Sequence, residues 1–292
     1  MKKLLLFSIV LLLGSLALVS LDKYKLASMV MVGLKSGTAS STNSSLSGIN
    51  GSNISTPGPL RASEDNPGAQ LTSAGVFYWT NENRRQNGSL PPLRENDVLD
   101  AMANSKLKDM FDQQYFEHIS PDGKGPAQLA NQFHYDYVMI GENLALGNFK
   151  NDEGLLTAWM NSPGHRANIL NTRYDEIGIA VGKGMFEGRE TWLAVQEFGK
   201  PKSDCPAINP SLKAQIDSLN SDIKDLNSSL QMEKAKLDSM NPKSQAEIDS
   251  YNQEVANYNN LVHIFNNKLD QVKELTNLYN SQVAAFNLCA QN

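Results

Sequence analysis

Apolar residues recur at alternating four- and three-residue spacing through the last third of the chain. Leu212, Ile216, Leu219, Ile223, Leu226, Leu230, Leu237 and Met240 keep this rhythm, with Glu233 as its one gap. After Asn241-Pro242 it restarts: Ile248, Tyr251, Val255, Tyr258, Val262, Phe265, Leu269, Val272, Thr276, Tyr279, Val283 and Phe286 hold it for more than five heptads. Such a repeat lays one apolar stripe along a helix, and the stripe must be buried against a second helix. Proline interrupts the helix, and Ser244 with Glu247 has the capping-box pattern of a new start. The pattern predicts an antiparallel α-helical coiled-coil hairpin over 205–292. Closing that hairpin brings Cys205 near Cys289, so a disulfide is expected there rather than two separate thiols. Such a bond also suits an oxidising compartment.

The chain begins with Lys2 and Lys3, followed by an uncharged, leucine-rich run of 18 residues from Leu4 to Leu21. As a helix that run spans about 27 Å, just short of a bilayer's hydrocarbon core. Residues 1–35 are read as a signal peptide or an N-terminal membrane anchor with its flank. Either reading places the rest outside the cytoplasm, secreted or anchored, with the membrane met through this segment. From Ser36 to Gly75, 27 of 40 residues are Ser, Thr, Asn, Gly or Pro. That composition predicts a disordered linker over 36–75. The formal net charge of −5, from 26 basic and 31 acidic residues, argues against a nucleic-acid partner.

Residues 76–204 have the composition of a globular domain. Helical patterns come first, in "VFYWTNENRRQNG", "ENDVLDAMANSKLKDMFDQQYF", "GPAQLANQF" and "EGLLTAWMNS". Strand-like "EIGIAVGKG" and "ETWLAVQEFG" follow. The order predicts an α+β domain with helices covering an antiparallel sheet. "YFEHISPDG" places His118 in a turn after a helix, "IGENLALG" places Glu142 in a loop after a glycine, and "SPGHRANIL" opens a short helix with His165. Ser120 and Ser162 read as turn and helix-cap residues. No H-E-x-x-H, G-x-S-x-G or phosphate-binding glycine loop occurs.

"HISPDG", "GENLA", "SPGHRANIL" and "EIGIA", in this order, resemble the CAP superfamily of cysteine-rich secretory, antigen-five and pathogenesis-related proteins. The likeness is strongest to its bacterial single-domain branch. The resemblance implies a three-layer α-β-α sandwich whose cleft gathers His118, Glu142 and His165 and often holds a divalent metal such as zinc. Eukaryotic members place a second glutamate in an insertion after the helix-four tryptophan. Here Trp159 is followed directly by Met160-Asn161-Ser162-Pro163, so the insertion is missing. Glu176 and Asp122 are the weak candidates for that fourth corner. The expected function is a non-enzymatic binding module with a protein or lipid ligand at the cleft and a protein partner on the hairpin. The alternative is a metal-assisted hydrolase of peptide or cell-wall material, since imidazole and carboxylate are zinc ligands that can activate water.

Overall fold

The structure is a computed structural model, and it describes residues 54–291. The leader expected over residues 1–35 and residues 36–53 of the expected linker lie outside the described residues. The chain forms two compact units: residues 54–207 with 284–291, and residues 208–283.

The first unit is built on one six-stranded sheet. Its strands are β1 (Ile54–Ser55), β2 (Leu60–Arg61), β3 (Arg94–Glu95), β4 (Tyr137–Leu146), β5 (Glu176–Phe186) and β6 (Arg189–Pro201). β4, β6 and β5 pair antiparallel in that order, β3 lies parallel to β5, and both β1 and β2 lie parallel to β4. The β5–β6 hairpin turns at Glu187 and Gly188, whose φ values of 51° and 78° match the twist of the flanking strands.

Five helices belong to this unit: α1 (Ser73–Gln86), α2 (Asp97–Gln113), α3 (Pro126–Gln132), α4 (Asp152–Asn161) and α5 (Pro163–Ile169). The period-2 alternation of the strands sorts their side chains between two helical layers. Ile177, Ile179, Ala194 and Phe198 share a core with Val76 of α1, Leu155 and Trp159 of α4 and Ile169 of α5. On the opposite face Leu144, Ala180, Leu193 and Val195 pack with Ala103 and Met110 of α2. α2 approaches β5 so closely that a Cβ on Gly178 would lie 2.0 Å from the Leu99 carbonyl carbon. Glycine at 178 is therefore what lets the α2 layer seat on the sheet.

Two expectations are corrected. Glu142, expected in a loop, lies inside β4, where Val138 to Leu146 are all buried. Both faces of this strand are covered, so its sequence lacks the polar alternation of a half-exposed strand. Residues 54–75, expected to be disordered, are part of the fold. β1 and β2 pair with β4, Ala69 and Leu71 are buried, and Thr72 caps α1 by accepting from the Gly75 N–H at 3.0 Å. Strand pairing uses main-chain groups, and these satisfy a polar segment whatever its side chains.

α6 (Pro210–Ser239) and α7 (Gln245–Gln291) follow. Asn209 caps α6 through the Ser211 N–H at 3.0 Å. The capping box before α7 forms, with Glu247 N–H on Ser244 Oγ at 3.3 Å and Ser244 N–H on Glu247 Oε2 at 2.9 Å. Within residues 208–283, Asn209 meets Gln282 at 2.8 Å, Asp222 meets Lys268 at 2.7 Å and Lys236 meets Glu254 at 2.8 Å. Partner numbers fall on one helix as they rise on the other, so the contacts run in opposed directions. No helix among the described residues is long and apolar enough to cross a membrane.

The last turns of α7, from Ala284, belong to the first unit. There Cys289 is bonded to Cys205 across a sequence separation of 84, with Cα atoms 5.6 Å apart, and the Ala290 carbonyl accepts from Arg173 at 2.5 Å. A loop of that length contributes about 4–5 kcal/mol in the chain-entropy model. Cys205→Ser or full reduction is expected to lower unfolding stability by about that amount in guanidinium titrations. An unchanged midpoint would show that the bond closes nothing of consequence.

Candidate functional site

β4 carries the site because three elements of polar chemistry meet on it. Its register with β6 places Glu142 directly opposite Glu197, on the face covered by α2. Neither residue has measurable exposure. Cβ atoms of such a cross-strand pair lie about 5 Å apart, too close for two ionised carboxylates in a dry interior. Burial, and then the Glu142 carboxylate beside it, push the Glu197 carboxyl well above the usual range. Glu197 therefore stays protonated at neutral pH.

His118 covers the pair from the loop after α2, its Nδ1 2.6 Å from Glu142 Oε1. The loop turns through Ser120 to Lys124, where the Gly123 N–H donates to Ser120 O and the Ser120 N–H donates to Lys124 O. Beneath it, Lys106 of α2 is only 2% exposed. Its ammonium donates to the His118 carbonyl at 2.8 Å and to Tyr115 Oη at 3.2 Å, and lies 4.9 Å from the Tyr115 ring centre. Burial lowers the Lys106 pKa, while Glu142 and Glu197 pull it back up. Lys106 is thus both the prop of the His118 loop and the countercharge of the carboxyl pair.

The second nitrogen of His118 fixes its protonation. Nε2 lies 2.5 Å from the Pro57 carbonyl oxygen. A carbonyl only accepts, so Nε2 carries a proton. With a carboxyl oxygen on Nδ1, His118 and Glu142 together hold a further proton in that hydrogen bond.

His165 comes from the other helical layer. It is 1% exposed on α5, and its ring stacks on Trp159 with centroids 6.5 Å apart and planes at 26°. Nδ1 meets Ser162 Oγ at 2.7 Å. Ser162, expected to cap α5, makes no side-chain cap bond and turns to His165 instead. Burial, and then the His118 charge, lower the His165 pKa to about 4. Among the described residues no hydrogen bond reaches His165 Nε2 or Glu142 Oε2, although both atoms are buried. Asn143 and Asn168 knit the two sides together. Asn168 Nδ2 lies 3.0 Å from Asn143 Oδ1, and Asn143 Nδ2 donates to the His165 carbonyl at 3.3 Å and to Gln196 Oε1 at 3.0 Å.

The two weak fourth-corner candidates lie elsewhere. Glu176 pairs with Gly199 in the sheet and is held by Asn96, Tyr135 and Arg94. Asp122 is bound to Lys124 at 2.7 Å and to the Ser120 hydroxyl. Glu197 stands beside Glu142 instead. Strand alternation signals it, because "WLAVQEF" puts Glu197 on the apolar side with Leu193 and Val195. Lys106 carries the same signal, as a lysine on the buried face of an amphipathic helix.

The residues as arranged do not fit a divalent metal. No hydrogen bond reaches His165 Nε2 among the described residues, but Glu142 is engaged by His118 and by the neighbouring Glu197 carboxyl, and His118 presents a protonated nitrogen already bound to a carbonyl. Among the described residues no three His, Cys, Asp or Glu side chains form a metal-holding group.

Residues 78–198 match the family model described as CAP, cysteine-rich secretory protein family. The uncharacterized protein YkwD of Bacillus subtilis (strain 168) is 39% identical over 123 residues, covering 42% of this chain and 45% of that protein. The uncharacterized membrane protein YlbC of the same organism is 30% identical over 108 residues, covering 37% and 31%. The chain therefore spans less than half the length of either relative. An extracellular protein containing an SCP domain from Bacillus anthracis superposes with a TM-score of 0.37 at 27% identity, over 44% of this chain and 40% of that one. An outer surface protein from Borrelia burgdorferi superposes with a TM-score of 0.38 at 24% identity, over 43% and 90%.

Two titrations of opposite sign follow from the buried groups. Glu197 has a folded pKa above its unfolded one, so its contribution to stability is complete below about pH 4.5 and is lost as pH rises above it. His165 has a folded pKa below its unfolded one, so its contribution is complete above about pH 6.5 and is lost as pH falls toward 4. Glu197→Gln is expected to raise the urea midpoint at pH 8 and leave it unchanged at pH 4. A midpoint at pH 8 lower than that of the parent chain would mean that Glu197 is ionised.

Proposed function

We propose that residues 78–198, which match the CAP family model, form a CAP-type domain that the chain displays outside the cytoplasm as a non-enzymatic binding module. The observation that carries this reading is the hydrogen bond from His118 Nε2 to a main-chain carbonyl. The ring nitrogen that would activate water, or ligate a metal, is spent on recognising a peptide group.

The remaining chemistry supports the same reading. Ser162 and His165 are paired, but a histidine with its pKa lowered to about 4 is a weak base, and no carboxylate orients its far nitrogen. Glu197 is neutral and Glu142 is committed to His118. Display outside the cytoplasm rests on the leader pattern of residues 1–35 and on the Cys205–Cys289 bond, which belongs to oxidising compartments. The relative YlbC is called a membrane protein, in keeping with a membrane contact through the leader. The heptad pattern and the opposed contacts of α6 and α7 support an antiparallel coiled-coil hairpin that serves as a spacer or as a docking arm for a protein.

The second reading, a metal-assisted hydrolase, draws on the buried His165 Nε2, which no hydrogen bond reaches among the described residues, and on the Glu142 carboxyl nearby. It requires His118 to release both its proton and the Pro57 carbonyl. Zinc titration calorimetry on the full chain, run alongside turnover of casein and peptidoglycan, separates the readings. The binding module shows no zinc-dependent turnover. Zinc-dependent turnover that disappears in folded His118→Ala and His165→Ala would establish the hydrolase.

A further inference from the structure

We propose that the cleft is a groove for an extended peptide, and that in the free chain its occupant is the chain's own segment 54–62. The proposal rests on the binding-module reading and names the ligand class of that site.

The segment sits as a ligand strand would. β1 and β2 run parallel to β4, with Ile54 opposite Ile140 and Ser55 opposite Gly141, then Leu60 opposite Ala145 and Arg61 opposite Leu146. Between them four residues, Thr56 to Pro59, span the three residues Glu142 to Leu144, so the segment bulges off the strand at the site. Pro57 and Pro59 have no N–H and leave no donor unmet in that bulge. Side chains of the cleft also reach the β4 carbonyls beside the bulge: Trp159 Nε1 donates to Leu144 O at 3.3 Å and Asn168 Nδ2 to Glu142 O at 3.4 Å.

What the cleft recognises in the segment is main chain. His118 holds the Pro57 carbonyl, Asn168 donates to Ser55 O at 3.2 Å, and the Ala62 N–H donates to Leu146 O at 2.9 Å. Two glycines make room for it. A Cβ on Gly164 would lie 2.6 Å from Pro57 Cβ, and one on Gly147 would lie 2.4 Å from Ala62 Cβ. Ile54 and Leu60 are only partly buried, so few side chains select the sequence. These are the terms of strand addition, in which main-chain bonds supply affinity and shallow pockets supply preference. The ligand class is an extended peptide that presents a proline carbonyl to His118 and a small residue over Gly147. Because the resident segment is tethered, its effective concentration is in the millimolar range, and a free peptide enters only once the segment is out.

The test uses the full-length chain with Ile54 to Ala62 replaced by an equal length of Gly and Ser. A milder variant, Ile54→Ser with Leu60→Ser, serves if that replacement fails to fold. The probe is a fluorescein-labelled peptide with the sequence of residues 54–63, read by anisotropy. The opened chain is expected to bind it at least about tenfold more tightly than the parent chain, and His118→Ala in the opened background is expected to lose up to about tenfold. A folded, opened chain that binds the peptide no better than the parent, or binds it equally without His118, overturns the peptide groove and leaves the non-enzymatic reading standing. Zinc-dependent turnover by the opened chain overturns that reading itself.

Discussion

The opposition of Glu142 and Glu197 across β4 and β6 is the constraint on which the site depends. Two carboxyl groups fully removed from water on neighbouring strands are tolerable only if at least one stays neutral and the other is compensated. The structure meets both conditions at once. Glu197 keeps its proton, and Glu142 shares one with His118 while the Lys106 ammonium lies behind the loop. His118 is fixed in place by this arrangement, and its outer nitrogen is aimed at the segment that pairs with β4 on the side away from β6.

That edge of β4 also joins the two helical layers. His118 reaches it from the α2 side, and His165, Asn168 and Trp159 reach it from the α4–α5 side. Alternation along β4 sends Glu142 to one layer and Asn143 to the other. A single strand thus collects residues from segments far apart in sequence, and the glycine before Glu142 leaves space for the Tyr174 hydroxyl beside the strand.

Much of this was legible in the amino-acid order. The five helices of the globular unit, the β5–β6 hairpin, the Ser244–Glu247 cap and the pairing of Cys205 with Cys289 follow from periodicity, capping chemistry and spacing. The motif histidines could be named in advance through the resemblance of their motifs to the CAP family, since their dispersed spacing alone is weak evidence of a shared site. β4 was hidden because a strand covered on both faces shows no alternation, and its Glu142-Asn143 pair looks like a loop. Periodicity marks Glu197 and Lys106 as charged residues on buried faces, but only the strand register reveals that Glu197 stands opposite Glu142. Segment 54–75 was hidden because main-chain pairing leaves no mark in composition. Glu176 and Asp122 misled because nearness in sequence to a motif does not place a side chain in a cleft.

His118 Nε2 is protonated and donates to a peptide carbonyl of the chain's own segment. Nitrogen NMR of ring-labelled histidine in the full chain reads this directly. The expected result is a protonated Nε2 whose hydrogen exchanges slowly and shows a cross-relaxation contact with Pro57. A bare Nε2 with no contact to residues 54–62 would contradict it.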